Sequence, residues 1–218
     1  MNNFKQIAID GPAAAGKSTI AKLIANRLNY VYVDTGAMYR AITWAVLHNQ
    51  IDVGDEKAVG DLLVEIDIDL TPKGEVFVNE HDVTTAIREP DVTTHVPQVA
   101  TYQSVREDLK QRQVTLAQSA NIIMDGRDIG TNVLPHADFK FFMVADPRIR
   151  AERRHKENIS KGIPSDIDTL ETEIKARDEQ DRTREHAPLK QAEDAILIDT
   201  SALSINEVVD KMVSIVLK

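Results

Sequence analysis

Gly11-Pro12-Ala13-Ala14-Ala15-Gly16-Lys17-Ser18 sets two glycines, a lysine and a hydroxyl at the Walker A spacing, and the chemistry this spacing serves is the holding of phosphate. Glycines let successive backbone N–H groups turn inward around phosphate oxygens, and a helix starting here aims its positive end at the same anion. Lys17 is expected to reach the β- and γ-phosphates of a nucleoside triphosphate, and the Ser18 hydroxyl to ligate magnesium. The flanks agree with this reading. The apolar run Ile7-Ala8-Ile9-Asp10 precedes the loop as a strand, and Thr19 to Leu28 follows it as a helix. The competing reading is a glycine-rich turn before an ordinary helix.

Three further groups could do chemistry. The first is Asp34-Thr35-Gly36-Ala37-Met38-Tyr39-Arg40, directly after a second apolar run. Ligands of open α/β sheets sit beyond the carboxyl ends of the strands, so Thr35 and Arg40 are expected beside the phosphate loop, holding a second anionic group. The alternative there is a helix cap at Asp34 or Thr35 with a surface arginine. The second is Asp125-Gly126-Arg127-Asp128, which ends the apolar run Ile122 to Met124. Asp125 stands where a Walker B carboxylate stands, able to meet magnesium or its water. Arg127 and Asp128 fall at the ligand end of the sheet, or else form an ion pair that shapes the turn.

The third group is Arg177, Asp181 and Arg184, whose spacing of four and then three residues puts them on one helical face. Two arginines can grip an anion while the carboxylate between them accepts from sugar hydroxyls. A solvated charged face is the plainer reading. Arg148, Arg150, Arg153 and Arg154 form a basic cluster in an acidic chain, either closing over triphosphate oxygens or simply solvated.

Those residues need a frame. Apolar runs suited to buried parallel strands occur at Ile7–Asp10, Tyr30–Val33, Ile122–Met124, Phe139–Val144 and Ala195–Ile198, with helix-like segments between them. That alternation predicts a five-stranded parallel sheet with helices on both faces. Ala41–His48 reads as a helix carrying Trp44, and Val99–Ser119 as one long amphipathic helix. A final helix opens on the capping box Ser204-x-x-Glu207 and runs to the C-terminus. Alternation around Pro72-Lys73-Gly74 predicts a small antiparallel sheet outside the parallel core. The polar stretch from His155 to Pro188 reads as a helical lid.

Composition narrows the class. The chain has 218 residues, 35 acidic against 26 basic, and a formal charge of −9. Such a surface repels nucleic acid polymers and anionic membranes, so neither is an expected partner. Positive charge for a phosphorylated substrate must then be gathered locally. The absence of cysteine excludes disulfides and thiolate metal sites and sits comfortably with a reducing compartment. With no signal-peptide pattern and no run long enough to span a bilayer, a cytoplasmic protein is expected. Nothing in the sequence demands an interface, so a monomer is expected.

Taken in order, these motifs make the chain resemble the bacterial cytidylate kinases, a branch of the P-loop nucleoside monophosphate kinases. The resemblance covers essentially the whole chain. It implies a single P-loop kinase domain over residues 1–218, an acceptor-binding insertion at about 62–95 and a lid at about 153–188. It also implies transfer of the γ-phosphoryl group of ATP to CMP or dCMP in pyrimidine nucleotide metabolism, with magnesium. Gly11 to Ser18 together with Thr19 would bind ATP. Thr35 would lie near the acceptor nucleotide, and Arg106 and Asp128 would contact the cytosine. Arg40, Arg127, Arg177 and Arg184 would hold phosphate groups, and Asp181 the ribose hydroxyls. Lys17, Arg127, Arg177 and Arg184 would be catalytic. Some members carry a serine that helps read the base where this chain has Pro97. Thr101, backbone groups or water would have to take its place.

Two rivals stand beside this reading. One is a P-loop kinase acting on UMP, AMP or a small metabolite such as shikimate, which the Arg106/Asp128 pair disfavours. The other is a slow nucleotide switch, disfavoured by the absence of an Asn-Lys-x-Asp motif and by the arginines placed for a second anion.

Overall fold

The computed structural model describes residues 4–160 and 162–217. Its elements in chain order are β1 (Gln6–Asp10), α1 (Lys17–Leu28), β2 (Val31–Asp34), α2 (Thr35–His48), α3 (Glu56–Leu62), β3 (Ile68–Leu70), β4 (Val76–Val78), β5 (His81–Asp82), α4 (Pro90–Val99), α5 (Gln103–Leu116), β6 (Ile122–Gly126), β7 (Phe139–Val144), α6 (Pro147–Ser160), α7 (Ile167–Thr183), β8 (Ile196–Asp199) and α8 (Ile205–Val216). The chain divides into two compact units, with boundaries at Tyr32/Val33 and Ala120/Asn121.

The first unit is built on the large sheet, whose order is β2-β6-β1-β7-β8. β1 pairs in parallel with β6 on one side and β7 on the other, with Asp10 opposite Gly126 and Phe142. β8 extends the sheet in parallel beyond β7. The central strands are apolar on both sides because helices cover both faces. Ile7, Ile9, Ile123, Phe141 and Met143 pack with Ile20 and Ile24 of α1 and with Val208, Met212 and Val213 of α8 in one buried cluster. The capping box at the start of α8 is formed: the Ser204 hydroxyl accepts from the Glu207 N–H, and the Glu207 carboxylate accepts from the Ser204 N–H. Lys218, at the expected end of this helix, lies outside the described residues.

The second unit carries the small antiparallel sheet, β3-β4-β5, with Ile68 opposite Val78 and Phe77 opposite Asp82. Met38, Ile42 and Val46 of α2 and Val78, Ile87 and Val99 are among its buried residues. Two helix boundaries differ from the sequence expectation. α2 begins at Thr35 rather than near Ala41, because the Asp34 carboxylate accepts from the Ala37 N–H and caps the helix six residues earlier. Of the long helix expected over Val99–Ser119, Gln103–Leu116 is helical as α5, while Val99 is the last residue of α4 and Ala100–Tyr102 separate the two. α4 ends in a tight turn, with the Thr101 N–H bonded to the Gln98 carbonyl and the Tyr102 N–H to that of Val99. The Arg106 guanidinium then occupies the Ala100 carbonyl, 3.0 Å away, so helical periodicity does not run through the break.

Candidate active site

The loop between β1 and α1 is shaped by glycine where only glycine fits. Gly11 has φ 148°, and a Cβ there would fall 2.1 Å from the Met143 carbonyl oxygen, so the loop lies directly against the end of β7. Gly16, at φ 89°, sets the left-handed turn into α1. No side chain caps α1 and no acidic residue stands in its first turn, which leaves its positive end open to an anion. Lys17 is 5 % exposed and donates to the Pro12 carbonyl at 2.7 Å, curling back over the loop. Burial, and next the charge of Arg127, pull its ammonium down to about 7.

Asp125, at the end of β6, accepts from the Ser18 hydroxyl at 2.9 Å and from the Tyr32 hydroxyl at 2.7 Å. A hydroxyl and a carboxylate side by side are hard oxygen donors. They fit magnesium, which takes one or two protein oxygens and completes its shell with water and phosphate. Among the described residues no cluster of three or more His, Cys, Asp or Glu forms an all-protein metal cage.

Beyond Asp125 lies a cluster of charge. Asp181 is 2 % exposed, so this face of α7 is not a solvated one. Arg127 donates to it at 2.9 Å, while Arg177 and Arg184 stand at 3.4 and 3.7 Å. Burial alone pushes the Asp181 carboxyl up, but Arg127, Arg177 and Arg184 outweigh it and hold it below its ordinary value. Arg184 also donates to Asp128 at 3.2 Å, and Asp128 accepts from Asn132 at 3.0 Å. Three guanidiniums are thus held by two carboxylates, leaving positive charge in excess within this cluster.

The other basic cluster does not stay together. Arg148 pairs with Asp168 and Glu171 on α7. Arg153 donates to the Thr200 carbonyl at 2.6 Å. Arg150 is buried and donates to Asp178, to the Ala145 carbonyl and to the Ala13 carbonyl of the phosphate loop. Arg148, Arg150 and Arg153 thus each engage a different set of acceptors.

In the second unit Thr35 is buried at the first helical position of α2. Arg40 pairs with the capping carboxylate Asp34 at 3.2 Å, so cap and arginine coexist. Its Nε is buried with no hydrogen-bond partner, an open donor. Arg106 is 5 % exposed, with its guanidinium 5.6 Å from the centre of the Tyr39 ring. The Thr101 hydroxyl near Pro97 is spent on the Gln98 carbonyl at 2.6 Å.

Sequence reasoning passed over three residues. Arg88 stands 3.9 Å from Asp34. Tyr32 was only part of an apolar run. Asp10 was only the end of a strand, yet it is 4 % exposed and accepts from the Ile129 and Gly130 N–H groups at 2.8 and 2.7 Å. Burial pushes its carboxyl up to about 6 despite those two bonds. A carboxylate closing an apolar parallel strand was the available signal.

The family model for cytidylate kinase matches residues 7–218. A cytidylate kinase of Geobacillus sp. (strain WCH70) is 55 % identical over 99 % of this chain and 98 % of its own length. One from Leuconostoc mesenteroides is 53 % identical over 99 % and 97 %. Among solved structures, a shikimate kinase from Bacteroides thetaiotaomicron shares the fold, with a TM-score of 0.52 at 16 % identity over 98 % of this chain and 99 % of its own. More than half of the residues agree with those of curated relatives along nearly the full length, and this chain belongs to the cytidylate kinase family.

Proposed function

We propose that this chain transfers the γ-phosphoryl group of ATP to the 5′-phosphate of CMP or dCMP, giving ADP and CDP or dCDP. The observation that carries the reading is the pairing, in one unit, of an open phosphate loop with the Arg127/Arg177/Arg184 group around Asp181. One binds a polyphosphate. The other offers more positive charge than its carboxylates consume, as transfer between two phosphates requires.

An oxygen of the acceptor phosphate attacks the γ-phosphorus while the bond to the β-γ bridging oxygen breaks. The acceptor is already ionised, so no general base is needed. The transition state is loose, and positioned positive charge does the catalysis. Lys17 follows the charge on the β- and γ-phosphates, exchanging its Pro12 carbonyl for phosphate oxygen. Arg127, Arg177 and Arg184 hold the transferring group and the acceptor phosphate. Ser18 would hold magnesium, with Asp125 meeting it directly or through water, and the ion would supply neutralisation of phosphate charge.

For the acceptor, Arg40 grips the phosphate, and its open Nε supports this role. Thr35 lies near the nucleotide and Asp181 takes the ribose hydroxyls. Arg106 and Asp128 read the base. Cytosine offers an exocyclic amine to a carboxylate and ring acceptors to a guanidinium. Uracil would turn a carbonyl toward Asp128 and leave a buried repulsive pair, which discriminates strongly. Residues 62–95 belong to acceptor binding. The segment 153–188 acts as a lid that excludes water, with Lys161 within it outside the described residues. The active species is a monomer.

Phosphorus NMR of ATP–magnesium with CMP tests the reading. Resonances of CDP and ADP should grow together with no inorganic phosphate. Inorganic phosphate growing alone would mean hydrolysis rather than transfer and would overturn it.

A further inference from the structure

The turn that follows Asp128 begins at a position from which a side chain ordinarily caps. Residues 129–133 form one wide helical turn, closed by the Val133 N–H on the Asp128 carbonyl and the Leu134 N–H on that of Ile129. Asp128 stands at the cap position, yet its side chain does not cap the turn. An aspartate in that place usually bends back onto the nearby N–H groups. Here two of those groups already have an acceptor. Asp10, 119 residues earlier, takes the Ile129 N–H on one carboxylate oxygen and the Gly130 N–H on the other. The parallel pairing of β1 with β6 brings it there, since Asp10 lies opposite Gly126. The Asp128 carboxylate is left to engage Arg184 and Asn132 instead.

We infer that Asp10 is a specificity-determining positioning residue: by capping the 129–133 turn in trans it keeps the Asp128 carboxylate out of local capping and presented to the base. The inference rests on the base-reading role proposed for Asp128. Two features favour function over packing. A fully buried carboxylate is expensive, and an apolar or amide side chain would cost less at the end of β1. The fit is also tight on the other side. A Cβ on Gly130 would fall 3.3 Å from the Asp10 carboxylate and 3.2 Å from the Lys140 side chain, so a larger residue at 130 would press on the same contact.

Asp10→Asn keeps the shape but can accept only one of the two N–H groups, because its amide nitrogen is itself a donor. The released N–H then competes for Asp128. Gly130→Ala disturbs the contact from the partner side and does not rely on the first variant folding. The measurement is kcat/KM with CMP and with UMP, plus KM for ATP and the thermal midpoint. Both variants should lose CMP-over-UMP discrimination by about tenfold or more, chiefly through a higher KM for CMP, with KM for ATP within about twofold. Asp128→Asn is the control and should lose discrimination at least as severely. Wild-type discrimination in Asp10→Asn and Gly130→Ala, alongside its loss in Asp128→Asn, overturns the inference while sparing the base reading. A parallel fall with every acceptor and an unchanged ratio overturns it too, since that is packing alone. Wild-type discrimination in Asp128→Asn removes the base reading and this inference with it.

Discussion

Lys17 carries an unusual proton balance. In the free protein burial and Arg127 hold its ammonium down at about 7, against an ordinary 10.5. Between those two values the folded chain binds fewer protons here than the unfolded chain, so this group's contribution to stability rises as pH rises through that window. Triphosphate oxygens beside the amine reverse the balance and favour the charged form. ATP binding near pH 8 should therefore take up a substantial fraction of a proton. Calorimetric titration in two buffers of different ionisation enthalpy reads this directly, as a buffer-dependent binding heat. Identical heats in both buffers would show that Lys17 does not change state. At this scale the site was partly legible. The phosphate loop is a local pattern of eight residues, and local patterns survive folding. Asp10 was not legible as a cap, because its partners Ile129 and Gly130 meet it only through strand pairing across the chain. Nor could sequence tell that Arg127, Arg177 and Arg184 would share Asp181.

The element scale turns on α7, which presents Arg177 and Asp181. Arg150 of α6 ties this helix to the phosphate loop: its guanidinium bonds Asp178 through two nitrogens at 3.1 and 2.6 Å and the Ala13 carbonyl at 2.9 Å. Arg150 and Asp178 side chains are only 3 % and 10 % exposed. Removing one member of a buried pair strands the other, at a typical cost of about 3 to 5 kcal/mol. Asp178→Ala should lower stability by that order in urea denaturation, and kcat more than KM for ATP as α7 loosens. A variant of unchanged stability would show that the pair is not an anchor. The exposed pairs of Arg148 with Asp168 and Glu171 should contribute little, because water and salt screen them. The central strands were legible because buried parallel strands are continuous apolar runs bounded by polar residues, and the edge strands β2 and β8 are apolar runs too although Val31, Ile196 and Leu197 are exposed. The helix expected over Val99–Ser119 starts only at Gln103, because apolar spacing continues across the break at Ala100–Tyr102, where turn hydrogen bonds and the Arg106 side chain decide the path.

For the whole molecule, a formal charge of −9 coexists with concentrated basic groups around the phosphate loop and α7. The acidic remainder disfavours polyanions, and under the proposed function the local arginines would select small phosphorylated ligands. Strand order β2-β6-β1-β7-β8 could not be read from chain order, since β6 inserts between β2 and β1 only after the whole second unit has been traversed. Among the described residues no helix is long and apolar enough to cross a membrane. The central claim concerns which acceptor is phosphorylated, and one measurement meets it: ADP release with ATP–magnesium and, separately, CMP, dCMP, UMP, AMP and shikimate. Turnover with CMP and dCMP, exceeding that with the other three by about a hundredfold or more in kcat/KM, is the predicted result. Equal turnover with UMP, or turnover with shikimate or AMP in place of CMP, would contradict it.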